Sequence, residues 1–164
     1  MKERKVVISL PKGFNNNIKI KTDAGDVKVA SFENATVNIE ADAGNINLCD
    51  IKDAKIITDA GNVNIETVDK CKIKTDAGNV KVKKVNFSLD IDVNAGNVKI
   101  EEVDLKEDSK IVTDVGNVTI NKTNDLNIDY KTDVGKINVE NSNRKADVTL
   151  KIETDCGNIN VNKE

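Results

Sequence analysis

Seven aspartates recur at one position of a repeated phrase and are the first candidates for chemistry in this sequence. Each stands two residues before a glycine, as in TDAGNVNI (58–65). If the phrases stack, the carboxylates lie about 4.8 Å apart, and rows of carboxylate oxygens can bind a hard cation such as Ca²⁺. A structural role as caps of turn N–H groups is the interpretation we favour. This Asp ladder comprises Asp23, Asp42, Asp59, Asp76, Asp114, Asp133 and Asp155, with Asn94 in the fifth phrase.

A second polar ladder follows the glycine directly. Side-chain amides stacked in register bond to one another along a stack of strands. A structural ladder therefore explains these residues without a ligand. The positions of this Asn ladder are Asp26, Asn45, Asn62, Asn79, Asn97, Asn117, Lys136 and Asn158.

The remaining residue types argue against an enzyme. The sequence contains no His, which removes Ser-His and Cys-His pairs and imidazole metal ligands. Carboxylates are plentiful, but so regular a ladder singles out no acid and base pair across a cleft. Three cysteines, Cys49, Cys71 and Cys156, are far apart and read as small apolar fillers rather than a disulfide or zinc framework. We expect no catalytic residue and no cofactor.

Charge and aromatic content exclude a further class. The net charge is −3 and aromatic residues make up 2% of the 164 residues. Nucleic-acid binders need a basic face and stacking platforms, so we expect no nucleic-acid partner. The longest apolar run, Val6 to Ile8, is too short to span a membrane.

Eight glycines mark an internal repeat that organises nearly the whole chain. Their spacing is 17 to 22 residues. We expect each one to form a corner with a positive φ angle, which only glycine adopts cheaply. These glycines are Gly25, Gly44, Gly61, Gly78, Gly96, Gly116, Gly135 and Gly157.

Apolar residues alternate with polar ones on both sides of each glycine, and a period of two indicates strands. Seven columns of the aligned repeats, lying seven, five, three and one residues before the glycine and two, four and seven after it, hold 46 apolar residues among 56. These columns are predicted to face the core. They include the Thr-rich column three residues before the glycine and the Ala column immediately before it.

Repetition of the same residue at the same place predicts strands that stack in register. The predicted fold is all-β, a single-domain parallel β-solenoid of about eight coils, right-handed by default and filled by its own side chains. Residues 1–17 form an N-terminal strand (Val6, Ile8, Leu10) and cap, and residues 18–164 form the coils. Length varies at one corner, at 104–108, 124–127 and 143–149. The last phrase, NINVNKE, reads as an uncapped end that invites pairing.

The phrase T-D-[AV]-G-N-[VI]-x-[VI] and the opening ISLPKGFNNNIKIKTDAGDVKV resemble a bacterial family of β-strand-repeat proteins. That family has the status of a domain of unknown function and carries an adhesin label. The resemblance implies a β-solenoid without enzymatic activity, often held in the cell envelope by an N-terminal membrane anchor. Because this sequence shows no anchor, the expected location is the envelope if an anchor was trimmed, and the cytoplasm otherwise.

Three functional hypotheses follow. The first is a non-enzymatic β-solenoid of the bacterial cell envelope, an adhesin or rigid interaction scaffold whose partner is a protein or an envelope component. The second is a scaffold that self-assembles end to end, as in bactofilin filaments. The third is a Ca²⁺-dependent surface module that rests on the Asp ladder alone.

Overall fold

The computed structural model describes residues 8–140 and 142–162. These residues contain thirteen β-strands and no helix, and therefore no helix able to cross a membrane. The strands are β1 (Asn17–Ala24), β2 (Val27–Val29), β3 (Phe32–Ala43), β4 (Ile46–Ala60), β5 (Val63–Ala77), β6 (Val80–Ala95), β7 (Val98–Val103), β8 (Ser109–Val115), β9 (Val118–Thr123), β10 (Asn127–Val134), β11 (Ile137–Val139), β12 (Thr149–Cys156) and β13 (Ile159–Val161).

The strands wind into a parallel β-solenoid, as predicted. Coils 1 to 8 are numbered here by their glycines in chain order. Every strand pairing is parallel, and equal columns lie over one another, so that Ile39 pairs with Ile56 and Ile56 with Ile73. These isoleucines are at most 1% exposed. The in-register rows of β-branched side chains fill the interior and form one continuous core.

The corner lies at the glycine, as predicted, and main-chain hydrogen bonds join the corners of neighbouring coils. The N–H of Gly78 donates to the carbonyl of Ala95 in the next coil at 3.0 Å, and the N–H of Val80 donates to the carbonyl of Asn97 at 2.9 Å. Gly78 has a φ of 147°. Gly116 and Gly157 have φ angles outside the left-handed region, so a positive φ is not what all eight corners share.

Close stacking is the constraint that the coils have in common. A Cβ atom on Gly116 would lie 1.8 Å from the carbonyl oxygen of Gly96, and one on Gly157 would lie 1.9 Å from that of Gly116. Gly25, at the first coil, has no heavy atom within 4 Å of the same position. From the second coil of the stack onward, the glycine is therefore needed because a backbone carbonyl occupies the place of a side chain.

The Ala column corrects our prediction. It was expected to face the core, yet all eight members are exposed, including Val115 at 57% and Val134 at 65%. The inward column three residues before the glycine is followed by two outward residues, after which the chain turns. The alternation of inward and outward side chains therefore breaks before the glycine. The last inward column lies three residues before the glycine, and we had predicted it to lie one residue before. The outward column consists of Ala24, Ala43, Ala60, Ala77, Ala95, Val115, Val134 and Cys156.

The order of the last two coils also differs from expectation. Strand β12 pairs with β8 on one side and β10 on the other, and β13 likewise lies between β9 and β11. The stack therefore runs 1-2-3-4-5-6-8-7. The phrase at 154–161 was predicted to be the open end, but it is an interior coil, and coil 7 is the end.

Coil 7 shows the exposure that an end coil must have. Tyr130, whose column faces inward as predicted, is 43% exposed, whereas Ile152 in the same column of coil 8 is 0% exposed. Ile137 is 42% exposed and its counterpart Ile159 is 0% exposed. The end coil has a neighbour on one side only, so its inward side chains are half covered.

The segments outside the repeat differ in part from prediction. Val6 lies outside the described residues, and residues 8–10 form no strand, with Ile8 76% exposed. The turn at Pro11–Gly13 is present, closed by a hydrogen bond from the N–H of Phe14 to the carbonyl of Pro11 at 3.1 Å. The irregular corner supplies core residues that the column analysis missed, Leu105 and Leu126, which are at most 1% exposed.

Candidate functional site

The Asp ladder lies on the outer surface along one edge of the solenoid. Its side chains are exposed, and none of the seven carboxylates accepts a backbone N–H among the described residues. Asp76 accepts a hydrogen bond from Nδ2 of Asn94 at 3.2 Å, and Asp133 forms an ion pair with Lys131 at 3.2 Å. The predicted capping of the turn is wrong, because main-chain and Asn ladder acceptors of neighbouring coils already take the turn's N–H groups.

The Asn ladder performs the role that we had assigned to the aspartates. Oδ1 of Asn79 accepts the backbone N–H of Asn97 at 3.0 Å and its side-chain Nδ2 at 3.2 Å. The same double contact joins Asn97 to Asn117. The predicted stacking of amides in register is confirmed, and each side chain satisfies a backbone donor of the following coil.

Lys136 ends the Asn ladder. Its backbone N–H donates to Oδ1 of Asn158 at 2.8 Å, and Oδ1 of Asn117 accepts the N–H of Asn158 at 2.9 Å. A lysine ammonium cannot accept a hydrogen bond. If another coil were placed on coil 7, the backbone N–H of that coil in the Asn ladder column would have no side-chain acceptor. The ladder thus explains why coil 7 is the end of the stack and coil 8 lies inside.

The Thr column faces inward, as predicted, with Thr58, Thr75, Thr113 and Thr154 buried. The hydroxyl oxygens of Thr113 and Thr154 lie 3.0 Å apart, and each lies 3.1 Å from the carbonyl oxygen of Gly116, so the two hydroxyl protons serve two of these three contacts. The hydroxyls of Thr58 and Thr75 have no partner among the described residues. Bonding along the stack is therefore confirmed only toward the coil 6 and coil 8 corners.

The cysteines lie in three separate environments. Cys71 is a buried filler, as predicted, and burial followed by the nearby charge of Asp90 raises the pKa of its thiol to about 12. Cys49 and Cys156 are exposed, which corrects the prediction for these two. No group of three His, Cys, Asp or Glu side chains converges within residues 8–140 and 142–162. The cation site stays a prediction from the sequence.

The outward faces carry paired charges rather than an isolated acid. Hydrogen bonds from Lys99 and Asn121 lower the pKa of Glu101, and a hydrogen bond from Lys151 lowers that of Glu153. Both shifts favour the charged carboxylate, whereas a general acid needs a raised pKa. Two surface depressions, one beside Ile57 and one beside Lys70, are open to solvent.

Comparison with known proteins identifies the family. No curated protein and no solved structure matches the chain. The family model described as Toastrack DUF4097, a domain of unknown function, matches residues 1–162. The predicted resemblance to a β-strand-repeat domain of unknown function is thereby confirmed, while its adhesin label stays a prediction. The chain belongs to the Toastrack DUF4097 family.

Proposed function

We propose that this protein is a rigid, non-enzymatic spacer that presents flat surfaces for interaction with other macromolecules. The observation that carries the proposal is the single continuous core, in which the inward columns of successive coils lie over one another. A small-molecule site needs a concave, partly apolar cleft, and a core packed by in-register aliphatic rows leaves no space for one between the described coils.

The ladders support rigidity. Besides the main-chain bonds of the strands, each coil is tied to the next by its corner glycine and by the Asn ladder. Movement of one coil relative to the next would break several hydrogen bonds together. The distance between the two ends of such a rod is fixed, which is the property that a spacer requires.

The proposed setting is the bacterial cell envelope, where the rod would hold a protein or an envelope component at a fixed distance. This part of the proposal rests on the family resemblance drawn from the repeated phrase. Adhesion is one form of that role, with the partner bound through the outward polar columns.

Removal of one whole coil tests the spacer directly. Ala54 and Cys71 occupy the same column 17 residues apart, so deletion of residues 54–70 joins coil 2 to coil 4 without a change of register. We expect a folded protein that is shorter by one strand spacing, about 4.8 Å. Spin labels at Lys28→Cys and Asn138→Cys, in a Cys49→Ser and Cys156→Ser background, measure the distance between the two end coils in dilute solution.

A deletion of half a coil is the control. Deletion of residues 54–61 removes about half a coil and should abolish folding, because it moves the outward side chains of Asn62 and Asn64 into the inward columns of Ala54 and Ile56. A deletion of the whole coil that leaves the distance unchanged, or a broad distance distribution in the unmodified chain, would contradict a rigid spacer. A reproducible hydrolase or lyase activity lost on replacement of a single ladder carboxylate would contradict the non-enzymatic role.

A further inference from the structure

The end formed by coil 7 carries an unpaired sheet edge with a short self-complementary segment. Strand β11 pairs with β13 on one side only. Around it lies the pentapeptide Lys136–Glu140, in which Ile137 is 42% exposed and Lys136 and Glu140 are exposed. Neither of these two charged side chains has an ion-pair partner within the part of the chain that the structure describes.

The free hydrogen-bonding groups of this edge can be identified from the stack. In interior coils, the N–H two residues after the glycine donates to the following coil, as from Val118 to Asn158. Ile137 holds that position in the end coil. Alternate residues of a strand direct N–H and C=O to the same side, and the N–H of Glu140 donates back to Val161 at 2.8 Å. Ile137 and Val139 therefore present two donors and two acceptors outward.

The other half of the same end is already covered. Oγ of Ser142 accepts the N–H of Ile128 at 2.9 Å and donates to its carbonyl at 3.2 Å. The N–H of Asn143 donates to the carbonyl of Leu126 at 2.8 Å. The chain thus protects the start of β10, while the rest of β10 and all of β11 stay open, and of these two edges β11 is the one flanked by charges of opposite sign.

The two charges of the pentapeptide, Lys136 and Glu140, have opposite signs and lie at equal distances from Asn138, so the segment is complementary to itself in antiparallel orientation. When two copies pair antiparallel about Asn138, Ile137 lies opposite Val139 of the second copy, and Lys136 lies opposite its Glu140. Four main-chain hydrogen bonds form, and both ion pairs are made. A slip of one pair in either direction, to a centre at Ile137 or Val139, separates Lys136 from Glu140 and loses both ion pairs.

We propose that coil 7 is a homodimer surface, on which β11 of a second copy of this chain pairs antiparallel about a two-fold axis at Asn138. The inference goes beyond the spacer role, and either can fail while the other stands. A two-fold contact is closed, so it yields a rod of two copies joined at their coil 7 ends rather than a filament.

Head-to-tail stacking of coil 7 on coil 1 is disfavoured by the same residues. In that register Lys136 lies over Asp26. The N–H of Asp26 would meet the side chain of Lys136, which has no acceptor. The end is therefore suited to its own copy in antiparallel orientation and unsuited to continuation of the coil.

The mass of the protein in solution, from light scattering behind size exclusion over a hundredfold concentration range, tests the proposal. A contact this small is of the weak class, so we expect the mass to rise from 17.9 kDa toward twice that value near the highest concentration. Glu140→Lys and Lys136→Glu should each weaken dimerisation about tenfold or more, because both introduce like-charge pairs at the two-fold contact. An equimolar mixture of the two variants should restore it, since only the mixed dimer pairs opposite charges.

A cross-link tests the register. In a Cys49→Ser and Cys156→Ser background, Asn138→Cys brings two thiols together at the two-fold axis and should form an intermolecular disulfide. Asn160→Cys, in the same column of interior coil 8, should not. A constant mass of 17.9 kDa over the whole range, masses beyond the dimer, no recovery in the variant mixture, or equal cross-linking at both cysteines would overturn the proposal.

Discussion

Gly116→Ala should lower the free energy of unfolding by about 3 kcal/mol or more, whereas Gly25→Ala should lower it by about 1 to 2 kcal/mol. The new Cβ at Gly116 would lie 1.8 Å from the carbonyl oxygen of Gly96, and neither backbone can yield without breaking its strand pairing. Gly25 has a strained φ of 124° but open space around the same position. Equilibrium unfolding in urea, followed by far-ultraviolet circular dichroism, measures both.

These two variants separate the two reasons why glycine recurs at the corner of each coil. Gly116 has no left-handed φ, so its cost is the stacking clash alone, and Gly25 has no clash, so its cost is backbone strain alone. Gly78→Val combines both terms, with a φ of 147° and a Cβ 2.0 Å from the carbonyl oxygen of Gly61, and should be the most damaging of the three. A smaller loss for Gly116→Ala than for Gly25→Ala would show that the corner is governed by φ and not by stacking.

Ile152→Ala should lower the free energy of unfolding by about 2 to 4 kcal/mol, and Tyr130→Ala should lower it by about 1 kcal/mol. Both residues stand five positions before a glycine, but Ile152 is 0% exposed between coils 6 and 7, and Tyr130 is 43% exposed on the end coil. The larger side chain therefore contributes less. The measurement is the same urea titration, with Ile111→Ala in coil 6 as a matched interior control.

A stack in chain order would reverse this ranking. Tyr130 would then be enclosed between coils 6 and 8, and Ile152 would face solvent at the end. A greater loss for Tyr130→Ala than for Ile152→Ala would contradict the observed order of coils.

Period-two alternation was sufficient to predict the class of fold and most of the core. The columns of Ile39, Val63 and Ile65 face inward as expected, since a side-chain period of two together with repetition admits few other folds. It could not locate the change of phase at the corner. Alanine is small enough for either face, so the column from Ala24 to Val134 gave no compositional sign that it is exposed.

The order of the coils was hidden for a different reason. All eight coils carry nearly the same phrase, so every pair of coils has compatible strands and the pattern alone does not say which are neighbours. One signal was present. Lys136 is the single member of the Asn ladder whose side chain cannot accept a hydrogen bond, and a ladder built from acceptors must end there.

We assigned the capping of turn N–H groups to the Asp ladder, whereas the Asn ladder performs it. The sequence does not separate the two ladders, because Asp and Asn are both turn residues. Capping within one turn and bonding between successive turns use the same donors. The structure satisfies those donors between coils, through Asn79 and its equivalents, and leaves the carboxylates of the Asp ladder exposed. Their repetition alone therefore does not define a binding site.

A disulfide between named coils tests the order 6-8-7 most directly. Native Cys156 is paired in register with Val115 of coil 6 and with Val134 of coil 7. In a Cys49→Ser background, Val115→Cys should form an intramolecular disulfide with Cys156, because adjacent strands lie about 4.8 Å apart. Val115→Cys with Val134→Cys and Cys156→Ser should form none, since coil 8 separates the two thiols. A disulfide in the second variant and none in the first would contradict the inserted coil and restore a stack in chain order.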